Sequence, residues 1–391
     1  MRISALASEP VARLTLTMSC LFCGFGATLP FLSRWLEEDR ALTGLEIGAV
    51  VSAAQLARIF VGPLIAAWAD GLPDRRTPIG LLILGGLTSY AAFFQAHGFW
   101  ALFVLSFIAA SLTQAATPLV EGAALRASQT GAIPFGAARA TGSAAFVVGN
   151  IAGGALIGVI GPGAVGAWLL TSMSAAALST FALKADPAPS TAAALGFRGR
   201  LMLAARLMRT PYFARLVFGA GCIQAAHAFF YSFSVLVWRA QGIADGVVGL
   251  LWGFAVGVEI LFLALLPQIE KRVPAETLLI AGGVGAVLRW SLMALAPPSA
   301  LLWPIQALHA LSFAASHVAA LRLVLRAAPS EVIGLTQTIY AALAAGLLIG
   351  LATLASGWLY DAYGAGGYWA MAALAAFGLF LVAPLGQRGV R

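Results

Sequence analysis

Twelve long apolar segments limit what this chain can fold into. Each is about as long as the roughly 20 apolar residues that cross a bilayer, and none shows the short alternating pattern of a membrane β-barrel. Backbone polar groups in lipid must be bonded within their own segment, which favours helices. The sequence predicts an all-α membrane protein with twelve transmembrane helices, at 11–34, 44–69, 77–96, 99–126, 135–160, 164–183, 212–238, 246–269, 275–296, 300–326, 332–358 and 366–386.

Charged residues are scarce, and their positions are therefore informative. Only 10% of the chain is charged, against about 25% in soluble domains, which excludes a soluble enzyme, a disordered chain and a disulfide scaffold. Of 23 Lys and Arg residues, 17 are assigned to segments on one predicted side of the membrane, and Arg34, Arg40 and Arg239 to loops on the other. We assign the remaining three, Arg58, Arg139 and Arg289, to the interior of the predicted spans.

The uneven distribution of basic residues predicts the orientation of the chain. Lys and Arg collect on the cytoplasmic side of membrane proteins, so we expect a multi-pass protein of the inner membrane with both termini in the cytoplasm. The net charge of +8 follows from this bias. Binding of nucleic acid is not expected, because no basic stretch outside the spans is interleaved with aromatic residues. No cleavable signal peptide is evident, since no small-residue cleavage site follows the first apolar run.

An internal repeat divides the chain into two six-helix halves. The polar stretch 184–211 separates residues 1–183 from residues 212–391. The sequences EGAALR (121–126) and HVAALR (317–322) match, as do FGAAR (135–139) and IGLTQ (333–337). Gly48, Arg58 and Asp70 are spaced like Gly249, Glu259 and Lys271. Duplication of a six-helix unit predicts a transporter that binds its substrate near the middle of the membrane and works by alternating access.

The ionisable residues inside the spans are the candidate functional residues. Arg58 and Glu259 occupy equivalent places in the repeat, and an unpaired charge at the bilayer centre costs roughly 3 kcal/mol or more. Both residues therefore need partners, either for charge neutralisation or, for Glu259, as a switch that takes up and releases a proton. Arg289 either pairs with Glu259 or adjusts its charge. Glu121 and Arg139 form either a structural ion pair or a substrate site in which the arginine fork holds a carboxylate.

Three histidines add to this set. His227, His309 and His317 lie in the seventh and tenth spans, where they serve either as packing residues or as groups that bond a substrate or relay a proton. Gln224 lies one turn before His227 on the same face.

The chain resembles the major facilitator superfamily, and within it the 3-phenylpropionate transporter family, close to the lactose permease type of proton symporter. The resemblance covers nearly the whole chain. Its most specific pieces are FGAARATGSAAFVVG (135–149), IQAAHAFFYSFSVLVWRAQG (223–242), GLLWGFAVGVEILF (249–262), LRW (288–290) and QALHALSFAASHVAALR (306–322).

The resemblance implies a major facilitator fold and proton-coupled uptake of a small aromatic carboxylate. Glu121 and Arg139 match a carboxylate and an arginine that help bind substrate in lactose permease-like proteins, with the same spacing of 18. His309 and Arg289 match the histidine of the tenth span and the arginine of the ninth. Ser312 replaces a glutamate that is central to proton coupling in lactose permease, so the proton carrier must be a different residue here or the coupling must differ.

The gating loop of the superfamily is degenerate in this chain. Its usual pattern, G-x-L-x-D-R-x-G-R-R, is reduced to Asp70 followed by Gly71-Leu72-Pro73-Asp74 and then Arg75 and Arg76. The resemblance therefore assigns Asp70, Arg75 and Arg76 to this loop.

Other functional classes fit less well. An intramembrane enzyme would need a nucleophile–base pair or metal ligands at helical spacing, and the sequence contains neither H-E-x-x-H nor a suitable G-x-S-x-G. A receptor or channel is disfavoured by the repeat and by buried charges of both signs. We expect a monomeric secondary transporter, without cofactor or metal, whose partners are an organic anion, protons and the bilayer. Uptake of a sugar or nucleoside, or efflux of amphipathic compounds, is the alternative.

Overall fold

The computed structural model describes residues 10–129, 133–186, 199, 202, 206–327 and 333–386, and within them it contains helices and no β-strand. The first half of the chain contains α1 (Pro10–Glu38), α2 (Gly44–Phe60), α3 (Gly62–Asp70), α4 (Arg76–Gln95), α5 (Phe99–Ser128), α6 (Phe135–Ile160) and α7 (Ala164–Thr180). The second half contains α8 (Pro211–Ala225), α9 (Ala228–Ala240), α10 (Asp245–Ile269), α11 (Ala275–Ala294), α12 (Ser299–Ala307), α13 (Ser316–Ala327), α14 (Ile333–Tyr340), α15 (Ile349–Tyr363) and α16 (Tyr368–Gly386).

The predicted all-α membrane fold is confirmed, and each of the twelve predicted spans contains helix. In the described part of the chain, nine helical runs are long and apolar enough to cross a membrane. Gly44–Ala57 and Ala164–Thr180 are shorter apolar helices. The count of twelve crossings therefore stays a prediction.

Several predicted spans are broken into shorter helices, and two of the breaks lie at candidate functional residues. His227 lies between α8 and α9. A π-helical segment, Ala310–Ala315, follows His309 directly and leads into α13. Single π turns interrupt the regular hydrogen-bond ladder and are often found at functional sites. A second π segment, Ala341–Leu348, joins α14 to α15.

By its internal contacts the chain divides into two compact units. One consists of Met1–Pro189 with Trp238–Gly253, and the other of Ser190–Val237 with Phe254–Arg391. The short segment from the second half joins the first unit because α10 begins against α6. A side chain on Gly249 would lie 2.4 Å from the carbonyl oxygen of Asn150.

Helices α1 and α6 approach each other closely because glycines line their contact. A methyl group on Gly149 would lie 2.2 Å from the carbonyl oxygen of Cys23, and one on Gly26 would lie 2.2 Å from that of Phe146. Small residues at such crossings allow close backbone packing in membrane proteins. This contact fixes α6, which carries Arg139, against α1.

Candidate functional site

A buried arginine organises the polar cluster of the second unit. Arg289 on α11 is completely buried. Its Nη1 donates to Nδ1 of His309 at 2.8 Å and to Oγ of Ser312 at 3.2 Å, and its Nη2 donates to Oε1 of Gln306 at 2.6 Å. A guanidinium has five N–H donors and no acceptor. Three side chains from the tenth span therefore hold this charge in one position.

Glu259 on α10 joins the same cluster through His309. Its Oε2 lies 3.2 Å from Nε2 of His309, and its side chain is 20% exposed. The imidazole of His309 thus lies between the carboxylate of Glu259 and the guanidinium of Arg289. The structure brings together three of the ionisable residues that were predicted to be functional.

His227 and Gln224 complete the polar part of this cluster. Nε2 of His227 lies 3.2 Å from Oγ of Ser312, and its Nδ1 lies 3.1 Å from the carbonyl oxygen of Gln224. The Gln224 side-chain amide donates to Oγ of Ser316 at 2.7 Å and to the carbonyl of Phe313 at 3.2 Å. The break between α8 and α9 therefore faces the π segment of the tenth span.

Aromatic rings enclose the charged groups. The guanidinium of Arg289 lies 4.6 Å from the ring centre of Phe230 and 4.5 Å from that of Trp290. These two cation–π contacts stabilise a desolvated arginine. The ring of Phe313 stacks on His309 at 5.0 Å and on His317 at 5.8 Å, with interplanar angles of 3° and 2°.

Glu121 and Arg139 form an ion pair in the first unit. Nη1 of Arg139 donates to Oε1 of Glu121 at 2.7 Å. The side chain of Arg139 is 46% exposed and that of Glu121 is 28% exposed, so the pair is accessible. The guanidinium carbon of Arg139 also lies 5.2 Å from the ring centre of Phe22 on α1. The site offers a partly free cation next to an aromatic face.

Asp74 is the centre of the loop between α3 and α4. Its Oδ1 accepts the backbone N–H groups of Arg76 at 2.9 Å and Asp186 at 3.1 Å, and its Oδ2 lies 3.1 Å from the Arg76 guanidinium. Burial acts to raise the pKa of the Asp74 carboxyl, but these N–H groups and the Arg76 charge together hold that pKa below its ordinary range. Arg126 forms an ion pair with Asp186, and the Arg75 N–H donates to the Asp186 carbonyl.

A ring of four charges ties the start of α10 to the end of α1. Arg34 contacts Glu38 at 3.0 Å and Asp245 at 2.6 Å, and Arg239 contacts Asp245 at 2.9 Å and Glu38 at 3.3 Å. Arg34 was predicted to belong to an outer loop, but it lies within α1 and is 6% exposed. That assignment was wrong because α1 continues to Glu38, and because one of the two partners of Arg34, Asp245, is distant in sequence.

The predicted site residues fall into three groups. The second-unit cluster contains Gln224, His227, Glu259, Arg289 and His309, with His317 half-buried at its edge. Glu121 and Arg139 are paired in the first unit. Arg75 and Arg76 lie at the start of α4, next to Asp74. The side chains of Arg58 and Asp70 lie outside the described part of the structure.

Gln306 was not among the predicted site residues, although it is completely buried against Arg289. An uncharged side chain in an apolar span gives no charge signal, and its spacing of three residues before His309 was the one available hint. Among the described residues, no group of three His, Cys, Asp or Glu side chains is placed to hold a metal ion.

A family model and several known proteins match most of the chain. The model of the MFS_1 like family matches residues 12–371. A protein of Escherichia coli (strain K12) named "Probable 3-phenylpropionic acid transporter" is 32% identical over 367 residues, covering 92% of this chain and 94% of that protein. The maltose permease of Geobacillus stearothermophilus is 29% identical over 348 residues, covering 87% and 85%.

Solved structures agree on the fold. The nucleoside transporter NupG superposes with a TM-score of 0.81 at 16% identity, covering 96% of this chain and 98% of that one. A D-xylose-proton symporter superposes with a TM-score of 0.69 at 15% identity, covering 95% and 96%. The chain therefore belongs to the MFS_1 like family and is a multi-pass membrane transporter of the major facilitator type.

Proposed function

We propose that this protein is a proton-coupled symporter that takes up a small aromatic carboxylate such as 3-phenylpropionate by alternating access. The observation that carries the proposal is the 32% identity, over 92% of the chain, to a protein named as a probable 3-phenylpropionic acid transporter. The contacts around Arg139 and Glu259 support a role for each residue, as follows.

Arg139 is the proposed receptor for the substrate carboxylate. The planar guanidinium matches a carboxylate in two parallel hydrogen bonds. Its 46% exposure leaves donors accessible, and Phe22 supplies an apolar face beside the charge. Glu121 holds Arg139 in position until the substrate carboxylate displaces it. The combination of a cation with an aromatic ring suits a substrate that carries an anion and a ring.

Glu259 is the proposed carrier of the coupled proton. It lies on the strongly apolar helix α10 and contacts a histidine that in turn contacts a buried arginine. A carboxylate in such surroundings changes its protonation readily when its neighbours move. Ser312 stands where lactose permease-like proteins carry a glutamate, and Glu259 takes over that role. Gln224, His227 and His317 belong to the same proposed substrate and proton region.

The proposed setting is the inner membrane, with both termini in the cytoplasm and a monomeric chain. The excess of Lys and Arg on one predicted side supports this orientation. The proposed halves are residues 1–183 and 212–391, joined by the linker 184–211. Asp70, Arg75 and Arg76 are the proposed gating loop, and Arg58 is proposed to belong to the charge network with Glu259 and Arg289.

Uptake of a sugar or nucleoside is the second candidate. The 29% identity to a maltose permease favours it, because arginine and glutamate side chains also bond sugar hydroxyls.

Uptake into proteoliposomes tests the proposal. Labelled 3-phenylpropionate should accumulate beyond the level of protein-free vesicles when the outside is made more acidic than the lumen, and Glu259→Gln should abolish the effect of the gradient. Arg139→Lys should weaken uptake about tenfold or more, since charge-assisted hydrogen bonds contribute about 1.5–3 kcal/mol. Competition by maltose or nucleosides, without competition by aromatic acids, would favour the second candidate.

A further inference from the structure

A cavity of about 280 Å³ lies in the second unit where three helices end. Thr210 and Tyr212 line it at the start of α8, Glu276 lines it in the first turn of α11, and Arg326 and Ala327 line it in the last turn of α13. The cavity therefore shares no residue with either of the candidate sites described above.

One cation and one anion line this cavity together. Nη2 of Arg326 lies 3.1 Å from Oε1 of Glu276, and the two side chains are 58% and 12% exposed. In the described part of the chain neither residue has another ion pair. A guanidinium has five N–H donors and a carboxylate has about four lone-pair sites, so the contact between them leaves both groups able to bind a ligand.

A ligand that carries both charges fits this pair. A phosphate can accept hydrogen bonds from the exposed guanidinium of Arg326, and a primary ammonium can donate to the carboxylate of Glu276. A ligand with a negative charge alone would be repelled by Glu276, which lies in contact with the arginine that attracts it.

The position of the cavity favours a lipid headgroup as the source of these charges. The helical runs that meet here, Pro211–Ala240, Ala275–Ala294 and Ser299–Ala327, are each long and apolar enough to cross a membrane. Arg206, Arg209 and Arg215 are close in sequence and exposed. Basic residues beside a span are attracted to the phosphates of the membrane surface, and basic pockets between spans bind lipid headgroups.

We propose that this cavity binds the headgroup of a phospholipid that carries a phosphate and a primary amine, as phosphatidylethanolamine does. The phosphate bonds Arg326 and the ammonium bonds Glu276. Leu207 and Phe213 also line the cavity and supply apolar surface for the part of the lipid next to the phosphate. The site is independent of the transported substrate and of proton coupling.

Binding of short-chain phospholipids to the purified protein in detergent, followed by native mass spectrometry, tests the proposal. Dihexanoyl phosphatidylethanolamine should bind about tenfold or more tightly than the phosphatidylglycerol, which has no ammonium, or the phosphatidylcholine, whose ammonium has no N–H. Equal binding of the three lipids would overturn the proposal. Free phosphoethanolamine should bind more weakly than the lipid, because it lacks the apolar part; equal or tighter binding would overturn the assignment to a lipid.

Single substitutions test the role of each charge. Arg326→Gln and Glu276→Gln should each weaken binding of the phosphatidylethanolamine about tenfold or more, since charge-assisted hydrogen bonds are the strong ones. Arg322→Gln is the matched control. Arg322 lies one turn earlier on α13, is 48% exposed and pairs with Glu270, but it is not part of the cavity wall. Its substitution should change binding by less than about twofold. An equal loss in Arg322→Gln, or unchanged binding in Glu276→Gln, would overturn the proposal.

A variant that fills the cavity without changing its charge gives an independent test if the charge variants do not fold. Ala327 is partly exposed at the end of α13, so a larger side chain there can extend into the cavity. Ala327→Phe should abolish the preference for phosphatidylethanolamine over phosphatidylglycerol. A preference that persists in Ala327→Phe would overturn the proposed site.

Discussion

Replacing Glu121 by Gln should make the protein bind an aromatic carboxylate more tightly while it changes folding stability little. The pair with Arg139 is partly exposed, at 46% and 28% of the two side chains. Exposed ion pairs contribute about 0–1 kcal/mol, so the free energy of unfolding should fall by no more than that. A structural brace would predict no gain in binding.

The expected gain in affinity follows from the charge of Glu121. A substrate carboxylate that displaces Glu121 from the guanidinium would still lie about 5 Å from the Glu121 charge, where Coulomb's law gives roughly 1–3 kcal/mol of repulsion for effective dielectric constants of about 80 to 20. Removing that charge should tighten binding about fivefold to a hundredfold. Turnover should slow, because Arg139 then lacks the carboxylate that displaces the substrate on release.

Equilibrium binding of 3-phenylpropionate to the purified protein, by titration calorimetry, measures this effect. Asp186→Asn is the matched control. It also replaces a carboxylate that pairs with an arginine in the first unit, and its exposure is similar at 27%. Weaker binding in Glu121→Gln, or an equal gain in Asp186→Asn, would refute the reasoning.

Three further predictions concern the first unit. Asp245→Asn should lower the free energy of unfolding by about 3 kcal/mol, because Arg34 would lose its buried partner at 2.6 Å; an unchanged unfolding midpoint would contradict this. Gly149→Ala should cost about 1–3 kcal/mol because its methyl group would overlap the backbone of α1. A methyl group at Gly136 on the same helix would meet nothing within 4 Å, so Gly136→Ala should be neutral or stabilising. Equal unfolding midpoints for Gly149→Ala and Gly136→Ala would contradict the close contact of α6 with α1. Asp74→Asn should speed hydrogen exchange of the two amides that donate to the Asp74 carboxylate. The pKa of Asp74 is depressed, so the stabilisation by its carboxylate is present above the ordinary carboxyl pKa and is lost as pH falls through the lowered value. The difference in exchange between variant and wild type should therefore disappear in strong acid.

The fold was largely predictable because lipid imposes a simple rule on the chain. Apolar length alone located helix in all twelve predicted spans, and the resemblance to lactose permease-like proteins indicated Glu121 and Arg139 as a pair, which the structure places in contact. Arg289 and Glu259 were predicted as functional residues because an unpaired charge inside a membrane span is energetically costly.

The remaining features of the site depend on tertiary contacts, which no local sequence pattern encodes. Gln306 is uncharged and gave no signal, although it accepts from Arg289 at 2.6 Å. Arg34 was assigned to an outer loop because its predicted span ends at that residue, whereas α1 continues to Glu38. One of the two partners of its buried charge, Asp245, lies 211 positions later in the chain. The π segment after His309 depends on tertiary packing in the same way.

Proton movement driven by the substrate tests the central claim most directly. Proteoliposomes with a pH-sensitive dye in the lumen would receive labelled 3-phenylpropionate outside, with no gradient at the start. The lumen should acidify in step with uptake of the label, beyond the leak of protein-free vesicles, and Glu259→Gln should remove the acidification above that leak. Protein-dependent uptake of the label without acidification, or acidification that Glu259→Gln leaves intact, would contradict proton symport through Glu259.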